Sequence, residues 1–526
     1  MSGLTLDADV LVIGGGMAAG WAAIAAARAG VSVVLADKGF VGTSGVTATA
    51  GPNHWWVPPD PAQREAAINR RFQSGFGLAD KAWMARVIDT TWRRLPELAP
   101  YYPFSRDGAG GIFYSGVRGP EYMRALRHFA QDLGVRVLDH HPALELLLHP
   151  DGSVAGAAGY ARLERRPWAI CAGAVVMATG GCAFRSGLIG SRGNTGDGYL
   201  MALEAGAELS GMEFSVAYTL SPAWCSTRTL PYTAARFFDA AGHELDIPPG
   251  NGAEHLRALA AAFGQGPVYA DLREAPAPLR TILGRIQPAT PPPFARQCVR
   301  LFDERFEVKL FGEGTIRGTG GLRIVDPHCQ TTVRGLFAAG DAATRELVAG
   351  ATSGGGAQNS AWALTSGYEA GGGAAAVARK SGRRNTDPIL CAGRTALRPT
   401  GAVKAPDDRA AIALAAAQIL PLDKALWRQR ETLEASQNVL DQLWAELVNH
   451  RQAEGLDQVG AREAAAIVAT ARWCNFAALA RPESRGMHLR ADAPSPLPEL
   501  ASRLLTGGTD ALWTRFEADL QAGAAA

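Results

Sequence analysis

The chain has 526 residues, 47% of them hydrophobic, enough for about two to four domains with ample core. Its 52 basic and 50 acidic residues leave a formal charge of +2, so no bulk field favours nucleic acid as a partner. Seven cysteines without a CxxC pair read as reduced thiols, no apolar run reaches membrane-spanning length, and no room is left for a signal peptide; the expected compartment is the cytoplasm.

Residues 10–13 are a short apolar run of strand type, followed at once by Gly14, Gly15 and Gly16. A small-residue segment of helical length, 17–29, and a second apolar run, 31–35, lead to Asp37 and Lys38. This is the strand–turn–helix–strand order of a dinucleotide fingerprint. Gly14 makes the tight turn, Gly16 lets the backbone approach a pyrophosphate, and Ala19 takes the slot where Gly or Ala permits close helix–strand packing. The helix N-terminus attracts phosphate, and Asp37 is placed to accept from ribose hydroxyls.

Residues 42–51 are small and rich in Thr and Ser, which suits backbone passing close to a flat ligand or a simple loop. Residues 61–103 look mainly helical, 121–133 helical, and 135–137 a strand. Residues 143–170 alternate and turn at 150–152 as a β-meander, and 174–177 return as a buried strand ending in Ala178, Thr179, Gly180 and Gly181. A glycine turn then enters a helix over 193–209. Residues 212–319 are irregular and rich in Pro and aromatics, as in an inserted domain. A buried strand at 335–339 ends in Gly340 and Asp341; a glycine cluster follows at 350–356 and a small-residue helix at 359–377. A Pro/Gly/Arg linker spans about 380–408. From 407 to about 480 the pattern is that of an appended helical bundle, and the tail after 494 reads as short and partly helical.

Four stretches taken together resemble a known family: residues 14–37; ATGG at 178–181 with NTGDG at 194–198; GLFAAGD at 335–341 with NSAWAL at 359–364; and ESRGMHLRAD at 483–492. Their order and separations are similar to those of the fumarate reductase/succinate dehydrogenase flavoprotein family, which includes L-aspartate oxidase and the α-subunit of adenylylsulfate reductase. The resemblance implies an α/β fold: a Rossmann-like FAD-binding domain (1–211 and 320–385), an inserted α+β capping domain (212–319) and a C-terminal helical domain (400–526). It implies FAD rather than NAD. Gly14, Gly15, Gly16, Ala19, Asp37 and Lys38 would serve the ADP end, Ser44 and Gly45 the loop beside the flavin, and Thr179, Gly180, Asp197, Gly340 and Asp341 the ribityl and ring region. Asn359, Ser360 and Ala361 would start the helix that faces the flavin's pyrimidine edge. For Asp197 and Asp341, helix capping is the plainer alternative.

The chain also departs from the pattern. Succinate-type members bond FAD covalently to a His after the loop serine; Gly45 stands there, so FAD is expected to be noncovalent. Where dicarboxylate-using members carry His, His and Arg, this chain has Tyr218, Ala351 and Gly355, and near a further His it has Ile316 and Arg317. A C4-dicarboxylate needs cationic donors for both carboxylates, so a different small-molecule substrate is expected. Arg257, Tyr218 and Arg317 are the catalytic candidates, although Arg257 reads equally as a surface arginine. His54, Trp55 and Trp56 either line a pocket or pack beneath a loop; Cys182 follows ATGG without a visible partner; His488 and Arg490 look suited to docking the helical domain through Glu483 or Asp492. The leading function is hydride transfer between a small molecule and FAD. The alternatives are a flavoprotein subunit delivering electrons to a separate Fe–S subunit, since the chain has no cysteine cluster of its own, and a flavin monooxygenase.

Overall fold

The computed structural model describes residues 3–106, 110–215, 217–226, 230–250, 253–286, 290–353, 355–382, 388–401 and 407–520. The fold grows from β1 (Leu4–Ile13), α1 (Met17–Arg28) and β2 (Val33–Ala36). Val10 to Ile13 of β1 are buried on both faces, as expected of a central parallel strand. Alanine suits α1 as a helix former, and its small side chains let another helix approach. That helix is Gly355–Ser381. A Cβ on Gly367 would stand 2.4 Å from the carbonyl oxygen of Ala18, and one on Gly371 would stand 2.1 Å from that of Ala22.

Helices α2 (Pro61–Gln73), α3 (Lys81–Arg94) and α4 (Gly119–Asp132) precede β3 (Arg136–Leu138), β4 (Ala143–Leu148), β5 (Val154–Ala161) and β6 (Arg166–Met177). The main sheet runs Leu390–Cys391, β4, β5, β6, β1, β2, β3, with Leu336–Ala338 also paired to β6. β6 is one strand where the sequence suggests two segments. Its first half closes the meander against β5, while it pairs in parallel with β1 from Trp168 to Met177. Leu336–Ala338 joins its last residues, Val175–Met177, also in parallel. α5 (Asp197–Glu204) follows the glycine turn.

A second, antiparallel sheet has the order Glu244–Leu245, Arg236–Phe238, Val268–Asp271, Phe306–Gly312, Tyr218–Pro222, and encloses its own core of Phe237, Leu259, Val268, Phe294 and Phe306. We refer to it, with its helix Ala253–Gln265, as the cap.

Two findings differ from the sequence pattern. The tail forms a β-hairpin, Leu504–Gly507 with Trp513–Phe516, beside a single turn at Pro498–Leu500. The hairpin pairs with Leu209–Ser210, which in turn pairs with Gly321–Leu322. A strand whose partner is so distant in sequence leaves no local signal. Helix Asp457–Ala480, read as part of an appended bundle, is instead buried along nearly its whole length, and its Arg462 meets Glu204 of α5 at 2.6 Å.

Candidate active site

A cavity of about 950 Å³ runs from the Gly14–Gly16 turn to the inner face of the cap. At one end, Gly14 has φ +118°, and a Cβ there would stand 2.2 Å from the carbonyl oxygen of Ala178. Gly16 caps α1 without a side chain, and a Cβ on it would meet nothing within 4 Å. The first N–H groups of α1, which lack intrahelical acceptors, thus open onto free space suited to a pyrophosphate. Asp37 ends this edge. One carboxylate oxygen, Oδ2, accepts from the Ser44 hydroxyl and from the Gly39 N–H at 3.1 Å. Burial pushes its pKa above the usual carboxylate range despite those bonds.

Lys38 turns the other way. Its Nζ donates to Asp197 at 2.6 Å, Thr195 at 2.7 Å and Glu463 at 3.1 Å. Burial works against the lysine charge, but the two carboxylates outweigh it and raise its pKa. Asp197, equally buried, is held below the usual range by Lys38. Glu463, from the C-terminal helix, also receives Arg185 at 2.5 Å and Arg162 at 3.4 Å.

Midway, Gly340 donates its N–H to Ser366 at 2.9 Å, and its carbonyl accepts from the Trp362 indole at 3.0 Å. Arg345, 2% exposed, gives one end of its guanidinium to Asp341 and the other to the carbonyl oxygens of Thr315 (3.0 Å), Ile316 (2.9 Å) and Gly318. Among the described residues, three buried polar atoms lining the cavity lack a hydrogen-bond partner: Thr179 Oγ1, Asn359 Oδ1 and, on the cap, the Tyr232 hydroxyl. An uncapped helix end, an acid at ribose distance along the chain and orphaned polar atoms together fit a polar dinucleotide cofactor.

The far end belongs to the cap. Leu220 and Leu310 are cross-strand neighbours, and Leu256 and Leu259 share a helix face; all four line the cavity with Ile316. Tyr218 lines it as well, but its hydroxyl donates to the Leu420 carbonyl at 2.6 Å. Arg317 lies 3.3 Å from the fully buried Glu313. His255 lines the cavity too, its Nδ1 lying 2.7 Å from the Pro248 carbonyl.

Most residues singled out from sequence meet here: Gly14, Gly15, Gly16, Asp37, Lys38, Ser44, Gly45, Thr179, Gly180, Asp197, Gly340, Asp341, Asn359, Ser360, Tyr218 and Arg317 all line the cavity. Others do not. Ala19 and Ala361 are fully buried within their helices, where small size serves packing. Arg257 is turned away, its Nε 3.2 Å from the Leu426 carbonyl, because the cavity face of its helix is set by His255, Leu256 and Leu259. Ala351 is absent from the cavity; it packs with Leu78 and Phe214. Gly355 opens the long helix, and Gly354 lies outside the described residues.

His54, Trp55 and Trp56 turn out to be packing. Trp56 stacks on Trp92 with centroids 4.2 Å apart, and burial holds the His54 pKa at about 3. Cys182 is buried and its thiol is pushed well up, an inert environment. The ESRGMHLRAD segment makes a dense ionic knot. Arg485 and Arg481 pair with Glu483, and Arg490 pairs with Asp492. Links to the rest of the fold include Arg481 to Glu213 at 2.8 Å, Arg485 to the Phe76 carbonyl at 2.7 Å and the Met487 N–H to the Ala351 carbonyl at 2.8 Å, while His488 sits between Arg428 and the Arg481 carbonyl. Sequence reasoning missed Arg185, Glu463, His255 and Arg345. His255 stands two residues from Arg257 on a recognisable helix; the others carry no local signal.

Comparisons with known proteins agree with this geometry. A family model described as FAD binding domain matches residues 9–229. An L-aspartate oxidase of Mycobacterium bovis is 29% identical over 96% of both chains. Among solved structures, E. coli quinol fumarate reductase superposes with a TM-score of 0.80 at 21% identity, over 98% of this chain and 97% of that one. The adenylylsulfate reductase of Archaeoglobus fulgidus gives 0.76 at 19% identity, over 97% and 96%. Fold and cavity thus define an FAD-dependent oxidoreductase. More narrowly, the chain is similar over nearly its whole length to members of the fumarate reductase/succinate dehydrogenase flavoprotein family. Among the described residues, no helix is long and apolar enough to cross a membrane.

Proposed function

We propose that the chain exchanges a hydride between noncovalently bound FAD and a small-molecule substrate that is not a C4-dicarboxylate. When bound, FAD supplies a hydride acceptor or donor at N5. Gly14 to Gly16 and the start of α1 would hold the pyrophosphate, Asp37 the ribose, and Thr179, Asn359 and Ser360 the more distant polar atoms. Gly45 offers no side chain for a covalent link.

The observation that carries the substrate reading is the charge at the cap. Among the described residues, Arg317 is the arginine or lysine lining that end, and Glu313 already faces it at 3.3 Å. Tyr218 brings a ring whose hydroxyl is engaged elsewhere. Two carboxylates would lose their hydration there without matching donors. Anaerobic assays with succinate and L-aspartate, and with fumarate plus a reduced dye, test this. No turnover near about 1 per second is expected, and acid should release free FAD. Ordinary turnover with any of the three sinks the substrate reading; flavin retained on the denatured chain sinks the noncovalent one.

A second reading is a flavoprotein subunit that delivers electrons to a separate Fe–S protein. The fold likeness to a quinol fumarate reductase and an adenylylsulfate reductase supports it. Among the described residues there is no His/Cys/Asp/Glu group that could hold a metal, so the cluster would come from a partner. Copurification of a cysteine-rich small protein with bound iron supports this second reading.

A further inference from the structure

Resting on the flavoprotein reading above, we propose that the cap end of the cavity takes a neutral, predominantly apolar substrate: a ring system or hydrocarbon chain bearing a single carbonyl or hydroxyl group. The walls are largely aliphatic, with Thr219, Tyr232 and Thr233 among them. Leu220 and Leu310 lie opposite each other on adjacent strands, and half-buried Leu256 faces the cavity from the helix, backed by the buried Leu259 and Ile316. Leucines at such positions exclude water and reward each apolar atom that replaces it.

The charges point the same way. At the cap end Arg317 and Glu313 cancel. Of the other cations lining the cavity, Lys38, Arg162 and Arg185 converge on Glu463 and Lys38 also holds Asp197, while Arg192, beside Gly193 and Lys38, is exposed. Asp341 is paired with Arg345. Arg257, the cation that could have added a positive charge, faces Leu426 instead. An anionic substrate therefore meets no uncompensated cation at this end among the described residues.

Arg317, His255 and the Tyr232 hydroxyl, which has no partner among the described residues, offer polar contacts to one neutral functional group. The Arg317 guanidinium has five donors, and its Nε faces Glu313, which leaves others for a carbonyl oxygen. The His255 Nδ1 faces a carbonyl oxygen, an acceptor only, and so carries a proton; in the neutral ring Nε2 then keeps a lone pair for a hydroxyl. With Glu313 offsetting Arg317, these groups supply no net positive charge for the two carboxylates of a dicarboxylate, whereas a single carbonyl or hydroxyl needs none.

The test uses the FAD-loaded protein and the absorption of its flavin. Cyclopentanone, cyclohexanone and 1-decalone are titrated as neutral probes of rising size, with cyclohexanecarboxylate and succinate as anionic ones. The dissociation constant is expected to fall by about fourfold for each added methylene. Both anions should bind at least about tenfold more weakly than cyclohexanone. Leu256→Asn and Leu310→Asn, at half-buried positions, should keep their FAD while losing most of the dependence on probe size. A constant that does not change with size, succinate binding more tightly than cyclohexanone, or an unchanged size dependence in both variants overturns the proposal. A chain that never takes up FAD overturns this proposal and the flavoprotein reading together. Bound flavin with a flat series overturns this one alone.

Discussion

The two ends of the cavity are built by opposite means. Around Gly14–Gly16 the wall is main chain: a positive φ at Gly14, an uncapped helix start, and small residues that let backbones approach. At the cap the wall is side chain, from Tyr218, His255, Leu310 and Arg317, which meet only because a five-stranded sheet and a helix fold over the site. A wall made of backbone constrains the sequence at fixed spacings and binds what is common to a cofactor. A wall made of side chains can change residue by residue while the first wall stays intact. A chain can therefore keep the cofactor end of its relatives and differ at the substrate end.

Arg345 is where the comparison breaks most severely, because it ties the ends together. It joins Asp341, on the cofactor side, to the carbonyls of Thr315, Ile316 and Gly318, which carry Ile316 and Arg317 to the cap side. Arg345→Met leaves the half-buried Asp341 carboxylate and three buried carbonyls without their cation, and should cost about 3–5 kcal/mol in denaturant unfolding. A loss below about 1 kcal/mol would show that the segment holds its place without it. Next comes Gly14→Ala, which tests the backbone wall alone. The added methyl meets the Ala178 carbonyl at 2.2 Å in a left-handed backbone. The expected cost is about 2–4 kcal/mol, seen as lost FAD content. Full FAD content in this variant would contradict the tight turn.

A pH effect of slightly smaller size tests the support behind both ends. Glu346, next to Arg345, accepts from Ser210 and, at 3.2 Å, from Thr344. Burial, with Glu213 nearby, raises its pKa to about 7. The folded value lies above the unfolded one of about 4.3, so its contribution to stability is complete below that pH and is lost as pH rises through 7. Glu346→Gln should therefore match the parent near pH 4.5 and exceed it at pH 8 by on the order of 2–3 kcal/mol. Parallel stability curves for the two proteins would place the ionisation elsewhere, with Glu213 the first group to examine.

The same contrast explains what could be read from sequence. The fingerprint and Asp37 were legible because strand, turn, helix and acid follow at fixed short spacings. Lys38 was legible as a neighbour of Asp37, but its link to Glu463 joins residues far apart in the chain and has no local pattern. Arg257 misled because its helix was recognisable while the rotation of that helix, set by Leu259 packing into the cap's core, was not. The tail hairpin was missed because its strands exist only by pairing with Leu209–Ser210. The Trp56–Trp92 stack shows that aromatic residues beside a binding loop can be pure packing.

The gentlest test concerns Asp37, and it separates the two ends most cleanly. Its Oδ2 is held by Ser44 and Gly39, which fixes the carboxylate against Gly15, where a Cβ would stand 2.5 Å from the Asp37 Cγ. On the proposed reading, the other oxygen accepts from a ribose. Asp37→Ala removes that acceptor and should weaken FAD binding by about 1–3 kcal/mol, or roughly 5- to 150-fold. Ser44→Ala should do less, since Gly39 still holds Oδ2. Burial raises the Asp37 pKa, so protonation removes the acceptor at a higher pH than for an ordinary carboxylate. Parent FAD affinity should then fall on acidification before the usual carboxylate range is reached, and Asp37→Ala should flatten that fall. In FAD-saturated protein, ligands that bind at the cap should keep their affinity in this variant. If their affinity drops along with that of FAD, the two walls are coupled through more than Arg345, and the independence of the two ends fails.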